Sequence, residues 1–135
     1  GPDGERRVPL DRFITGPYAT DLAERELLVA VEVPRPGPSA QWGYWKFMRQ
    51  VGEFAKASAA VLIDPENRRY RCALGALGGP PAVLPDPEGL IEGRVSAADS
   101  VAQALAGRPL QSTAMHVAAL ERALARAHGE ETQDA

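Results

Sequence analysis

The side chains that most often act in catalysis are few in this sequence. Two histidines, His116 and His128, fall on the last predicted helix, and no Gly-x-Ser-x-Gly motif accompanies them. A histidine acts in a hydrolytic triad only beside a nucleophile and a third orienting group. We therefore interpret both histidines as surface or helix-end residues. No two His, Cys, Asp or Glu residues have a recognised metal-ligand spacing, so we predict neither a catalytic residue nor a metal site.

Two further motifs are weak candidates for ligand binding. A dinucleotide loop needs Gly-x-Gly-x-x-Gly between a strand and a helix. The glycines of LGALGG (residues 74–79) have another spacing and two prolines follow them, so we interpret this motif as the exit of a strand. The basic run RRYR (residues 68–71) lies beside Asp64 and Glu66, which offset its charge. We interpret it as a solvated turn.

The strongest candidate is Lys46, which lies in the most aromatic segment of the chain. Alternation along a strand gives this segment two faces, one with Trp42, Tyr44, Lys46 and Met48 and the other with Trp45, Phe47 and Arg49. Lys46 can simply extend past its aromatic neighbours into water. Alternatively, it provides a cation beside a flat anionic or electron-rich ligand. The residues alone favour the first interpretation and do not exclude the second.

Period-two alternation predicts the strands that position this segment. Residues 26–33 alternate and end at a proline, which predicts a half-buried strand with Leu27, Val29, Val31 and Val33 on one face. The Gly52-Glu53 pair predicts a bend after the aromatic strand. Residues 58–77 predict an antiparallel hairpin with a turn at residues 64–67. Before these strands, residues 1–25 predict an irregular lead-in with a helical turn starting at Thr20.

From residue 80 onward the capping residues predict helices. Asp86 is suited to cap a short helix that ends near Gly93. Ser96 and Asp99 form a capping box before a second helix. Ser112 is suited to cap the last helix, which places Val117, Leu120 and Leu124 on one face.

Strands followed by helices predict an α+β fold, an antiparallel sheet of three to four strands followed by a C-terminal helical layer. The chain of 135 residues is long enough for one domain with its own core. We divide it into a lead-in or linker (residues 1–25), a single α+β domain (residues 26–128) and a flexible tail (residues 129–135).

The composition excludes several classes of function. A net charge of −3 gives no electrostatic attraction to nucleic acid or to an anionic membrane, and no apolar run approaches the length of a membrane span. The single cysteine, Cys72, excludes an internal disulfide and an iron–sulfur cluster held by this chain, and it is interpreted as a small buried residue. A cytoplasmic setting fits these properties best.

Spaced residues match the pattern of a known family. They lie in the aromatic segment and in the Ala-rich run after it. The set is Tyr44, Lys46, Arg49, Gly52, Phe54, Ala55, Ala57, Ala60 and Val61, with Glu53 in place of the usual Asp. It resembles the start of the C-terminal domain of the FAD-binding medium subunit of molybdenum hydroxylases, the family of carbon monoxide dehydrogenase and xanthine dehydrogenase. Residues 4–34 and 72–93 are similar to the flanking segments of that subunit in the same order.

The resemblance implies a function and a site. In this family the domain packs on upstream FAD-binding domains, and the subunit works with a molybdopterin subunit and an iron–sulfur subunit. The lysine that corresponds to Lys46 lies near the isoalloxazine edge, so the implied cofactor-binding residues are Tyr44, Lys46, Arg49, Gly52 and Glu53. The glycine-rich loops that hold the FAD pyrophosphate belong to the upstream domains.

A second interpretation comes from another class of function. A stand-alone domain of this fold would act as a protein-interaction or small-molecule-binding module without FAD. Such a domain would expose the face that otherwise meets the flavin domains, and a partner or a homodimer would then cover it.

Overall fold

The first forty residues hold only short regular elements. In the computed structural model, which describes residues 1–108 and 113–130, they are helix α1 (Leu10–Phe13) and the strands β1 (Ile14–Gly16) and β2 (Ala19–Thr20) of a small antiparallel ribbon. The helical turn predicted at Thr20 is wrong, because Thr20 pairs with Ile14 in that ribbon. The boundaries after residues 25 and 128 stay predictions, and most of the predicted tail lies outside the described residues.

The alternating apolar residues after residue 40 form the main sheet. Its strands are β3 (Gln41–Phe47), β4 (Ala57–Asp64), β5 (Arg69–Gly75) and β6 (Ala82–Val83). They follow one another in the order β3-β4-β5-β6, and every neighbouring pair is antiparallel. The hairpin predicted over residues 58–77 is confirmed as β4 and β5.

The strand predicted over residues 26–33 is wrong for this chain. These residues form no helix, strand or turn, and Leu27 and Val33 expose 82% and 80% of their surface. Alternation favours a strand, but a strand forms only where a neighbouring strand takes up its N–H and C=O groups. No strand in the described part of the chain lies beside this segment.

Three helices follow the sheet, as the capping residues predict. They are α2 (Pro87–Ile91), α3 (Ala97–Ala104) and α4 (Ala114–Ala127). The Asp86 carboxylate accepts a hydrogen bond from the Gly89 N–H at 2.8 Å, and the Ser96 hydroxyl accepts one from the Asp99 N–H at 3.0 Å. Ser112, the predicted cap of α4, lies outside the described residues. Among the described helices, none is both long and apolar enough to cross a bilayer.

The core lies between one face of the sheet and the helices, so the predicted α+β fold is confirmed. The sheet contributes Trp45, Ala59, Val61, Cys72 and Leu74, the helices contribute Leu90, Val101, Leu120 and Ala123, and Leu105 follows directly after α3. Small residues at the centre let α4 lie directly on β3 and β4. A β-carbon added at Gly43 would overlap the Ala123 carbonyl oxygen in the backbone of α4, so only glycine fits there.

Replacing Gly43 therefore tests how closely α4 packs on the sheet. We expect Gly43→Ala to lower the free energy of unfolding by at least about 2 kcal/mol, because the added methyl group meets helix backbone that cannot rotate away. Gly79→Ala is the matched control, since no atom lies within 4 Å of its added methyl group. Urea denaturation of both variants measures the difference, and equal stabilities would contradict the close packing.

Candidate functional site

The face of the sheet opposite the helices is an apolar platform. Its residues lie across the strands in three rows, Trp42–Leu62–Arg71, Tyr44–Ala60–Ala73–Val83 and Lys46–Ser58–Gly75. We call this surface the open face. Trp42 exposes 71% of its surface, and Tyr44 and Val83 are also exposed. Lys46 and Arg71 place cations at its ends.

The five residues implied by the family resemblance fall into two groups. Tyr44 and Lys46 share the open face of β3, as the alternation predicts. Arg49, Gly52 and Glu53 lie in the loop between β3 and β4, and all three are exposed. The predicted bend is there, since Gly52 has a φ of +93°, a conformation that favours glycine. Their role in binding a cofactor stays a prediction.

Two parts of this surface could not be identified from the alternation of β3 alone. Strand β3 ends at Phe47, so Met48 and Arg49 do not continue its two faces as predicted. The loop that follows carries Val51 and Phe54 almost fully exposed. Apolar side chains in a loop with a glycine bend are the signal that indicates a contact surface here.

Strand β3 is held from behind by two arginines of α4. The Arg122 guanidinium lies 4.8 Å from the ring centroid of Trp45 and 4.9 Å from that of Phe47, and the Arg126 guanidinium lies 4.4 Å from Trp45. Arg126 also donates a hydrogen bond to the Tyr44 carbonyl oxygen at 3.4 Å. These contacts fix the strand that presents Tyr44 and Lys46 on its other face.

The two histidines differ in their surroundings. His128 is exposed at the end of α4, as predicted. His116 lies in the first turn of α4, so it is the predicted helix-end residue, but it is buried rather than on the surface, and its Nε2–H donates a hydrogen bond to the Gly75 carbonyl oxygen at 3.1 Å. His116 faces the core because it shares the helix face of Ala119, Leu120 and Ala123. Its hydrogen bond to β5 is a structural contact between the helix and the sheet.

Cys72 is a buried core residue, as predicted. Burial raises the pKa of its thiol to about 12. A thiol is nucleophilic and binds metal as the thiolate, so Cys72 is inert at neutral pH. In the described part of the chain no cluster of three or more His, Cys, Asp and Glu residues could hold a metal ion.

A buried ionic cluster joins the hairpin to the loop before β3. The fully buried Asp64 carboxylate accepts hydrogen bonds from the Asn67 amide at 2.9 Å, from Arg69 at 2.7 Å and from the Gly37 N–H at 3.3 Å. The amide of Asn67, with Arg69 and the Gly37 N–H, lowers the pKa of Asp64 from its ordinary value of 3.8. The basic run is therefore only partly the solvated turn predicted, since Arg69 is inside this cluster.

A separate cleft lies between the N-terminal segment and residues 26–32. Its volume is about 730 Å³, and Leu10, Phe13 and Leu27 are among the apolar residues that line it. Arg6 also lines the cleft, and it pairs with Glu26 at 2.6 Å and with Asp21 at 2.7 Å. None of the five residues implied by the resemblance lines this cleft.

Comparison with known proteins identifies relatives in one group. No family model matches the chain. The carbon monoxide dehydrogenase medium chain of Hydrogenophaga pseudoflava is 41% identical over 63 residues, which are 47% of this chain and 22% of that protein. The nicotine 6-hydroxylase medium subunit of Paenarthrobacter nicotinovorans is 34% identical over 94 residues, 67% of this chain and 32% of that protein.

A solved structure shares the whole fold. A chain of carbon monoxide dehydrogenase from Oligotropha carboxidovorans superposes with a TM-score of 0.79 at 26% identity, over 97% of this chain and 51% of that chain. The fold and the relatives together place this chain in the class of medium-subunit domains. Its homologues are carbon monoxide dehydrogenase medium chains and related medium subunits, as the resemblance predicted, and the chain spans about half the length of the solved chain.

The buried Asp64 gives a testable dependence of stability on pH. Because its pKa is lower in the folded chain, the ionised carboxylate stabilises the fold above the unfolded pKa, and this contribution is lost as the pH falls through the folded pKa. We expect Asp64→Asn to be less stable than the wild type at pH 7 and to lose less further stability from about pH 5 downward.

Thermal unfolding of the wild type, Asp64→Asn and Glu66→Gln between pH 7 and pH 2 measures this difference in stability. Glu66→Gln is the control, because Glu66 is a neighbouring carboxylate that is exposed. An Asp64→Asn variant with the stability and acid sensitivity of the wild type would show that the cluster contributes nothing.

Proposed function

We propose that this chain is the C-terminal domain of the FAD subunit of a molybdenum-hydroxylase-type oxidoreductase. In this proposal the open face packs on flavin-binding domains and Lys46 lies near the isoalloxazine edge of FAD. The observation that carries it is the open face itself, an exposed aromatic and aliphatic surface with a lysine at one end.

The exposed apolar area supports a covered position in a larger protein. Monomeric proteins rarely expose contiguous apolar patches of this kind unless they mark a contact site. Trp42, Tyr44 and Val83 are exposed together on the open face, and Val51 and Phe54 extend the apolar surface into the neighbouring loop. Since the solved relative is about twice as long as this chain, the remaining half of such a subunit can supply the cover.

The residues on the open face fit one side of a flavin site. Tyr44 offers an aromatic surface, and Lys46 offers a cation that no salt bridge within the described residues occupies. When bound, FAD takes up electrons and passes them to an acceptor. A fixed cation beside the ring stabilises the negative charge that develops on reduction, and Lys46 is suited to this role because α4 holds β3 from behind. Arg49, Gly52 and Glu53 would form the adjacent loop.

The partners are part of the same proposal. By family resemblance, a molybdopterin subunit oxidises the substrate and an iron–sulfur subunit carries the electrons to FAD. These 135 residues have one cysteine, which is buried, so they cannot themselves hold the clusters. Its own part would be to orient the flavin and to exclude water from one side of it.

A stand-alone interaction module is the alternative function, and the same open face favours it. In that case a partner of another kind, or a second copy, covers the apolar platform. The reading frame and an intact mass distinguish the two functions, because an upstream segment with glycine-rich FAD loops is required only by the first.

Replacing Lys46 tests its proposed role in a full-length subunit. We expect Lys46→Met to slow flavin reduction or reoxidation at least about tenfold, or to weaken FAD binding by a similar factor, because it removes a charge close to the ring while keeping the volume. Lys46→Arg keeps the charge and should retain most of the rate. Stopped-flow absorbance of the flavin measures this, and unchanged rates and affinity for Lys46→Met would contradict the proposed role.

The isolated chain should bind no FAD of its own. We expect the purified 135 residues to be colourless, because the open face supplies only one side of the site. An absorbance scan between about 350 and 500 nm after incubation with FAD and desalting measures retention. Stoichiometric FAD in this chain would contradict an incomplete site.

A further inference from the structure

Ser58 has a polar side chain that is buried on the open face without a partner. Among the residues of the three rows, Ser58 alone is buried, with 9% of its surface exposed. Its hydroxyl makes no hydrogen bond to any residue that the structure describes. A buried hydroxyl costs free energy unless a partner completes its hydrogen bonding, so this one is available to a ligand.

The Ser58 hydroxyl lies beside a gap in the sheet surface at Gly75. A β-carbon added to Gly75 would lie 2.5 Å from the Ser58 hydroxyl oxygen, and its next nearest neighbour would be the Ser58 β-carbon at 3.9 Å. The space over Gly75 is therefore open apart from this hydroxyl. On the other side of Ser58, Lys46 is its direct cross-strand neighbour on β3. We call the gap bordered by Lys46, Ser58 and Gly75 the notch.

The floor of the notch is fixed from the helix side of the sheet. The Gly75 carbonyl oxygen accepts the hydrogen bond from the buried His116 at 3.1 Å, and Gly75 pairs with Ser58 across β4 and β5. Helix α4 thus holds the backbone that carries the hydroxyl. Because the strands are already in place, a ligand bound in the notch would not have to order them.

We infer, building on the proposed function, that the notch binds the carbonyl edge of the flavin ring and that the Ser58 hydroxyl donates a hydrogen bond to it. The polarity of the open face supports this inference. The row of the notch is polar, whereas the next row, about 7 Å along the strands, carries Tyr44, Val83 and two alanines. The isoalloxazine ring divides in the same way, with C=O and N–H groups at one end and methyl groups at the other. A hydroxyl donates to such a carbonyl, while Lys46 supplies the charge.

Urea unfolding of the 135-residue chain tests whether the hydroxyl serves the fold. Because the Ser58 hydroxyl has no partner to lose, we expect Ser58→Ala to leave the midpoint of unfolding unchanged or to raise it. Ser96→Ala is the matched control and should lower the midpoint, because the Ser96 hydroxyl accepts a hydrogen bond from the Asp99 N–H. A midpoint for Ser58→Ala as low as that of Ser96→Ala would show a structural role and overturn the assignment of this hydroxyl to a ligand.

Titration of a flavin-free full-length subunit with FAD tests the notch itself. We expect Ser58→Ala to weaken FAD binding about 3- to 10-fold and to shift the visible absorption maximum of the bound flavin, because the ring loses one hydrogen bond. Gly75→Ala should weaken binding at least as much, because its methyl group displaces the hydroxyl and fills the notch. Ser96→Ala should bind FAD like the wild type.

The same titration separates this inference from the proposed function. Wild-type affinity and absorption for Ser58→Ala, or wild-type affinity for Gly75→Ala, would overturn the notch. If Lys46→Met still weakened FAD binding or slowed the flavin, the proposed function would stand without it. If Lys46→Met had no effect either, both would fail.

Discussion

The close packing of α4 on the sheet is the constraint on which the rest of the structure depends. The helix can approach β3 and β4 only because Gly43 has no side chain, and its small residues Ala119, Ala123 and Ala127 are buried against the strands. Arg122 and Arg126 then lie against Trp45, which fixes the edge strand. One face of the sheet is thereby fully occupied, and every exposed apolar group of β3 must lie on the other face.

This division explains why the chain carries so much exposed apolar surface. Its helices cover one face of the sheet, and the described residues provide no second layer for the open face. The segment of residues 27–36 is exposed for a related reason, since no strand of the described chain lies beside it. Both features agree with the proposal that this chain is one domain of a longer subunit, since its relatives are longer than itself.

Local patterns predicted most of the fold correctly. Asp86 and Ser96 cap their helices through residues three positions away, and the β4–β5 hairpin depends on a short turn. The local sequence is therefore enough to predict these features. Residues 26–33 have the pattern of a strand without its partner, which no local pattern can reveal. The same limit applies to His116, whose burial depends on how α4 packs against Gly75. Within the site, alternation predicted that Tyr44 and Lys46 share a face, whereas the support from Arg122 and Arg126 required the tertiary structure.

The central claim is that the open face is covered in the full subunit. Oxidative footprinting of the two tryptophans tests it most directly. Hydroxyl radicals modify exposed tryptophan, and Trp42 and Trp45 are an internal pair, one exposed on the open face and one buried under α4. In the isolated chain Trp42 should be oxidised much faster than Trp45. In a full-length subunit we expect Trp42 to become protected while Trp45 stays unchanged. A Trp42 that is oxidised equally fast in both proteins would contradict the covered face.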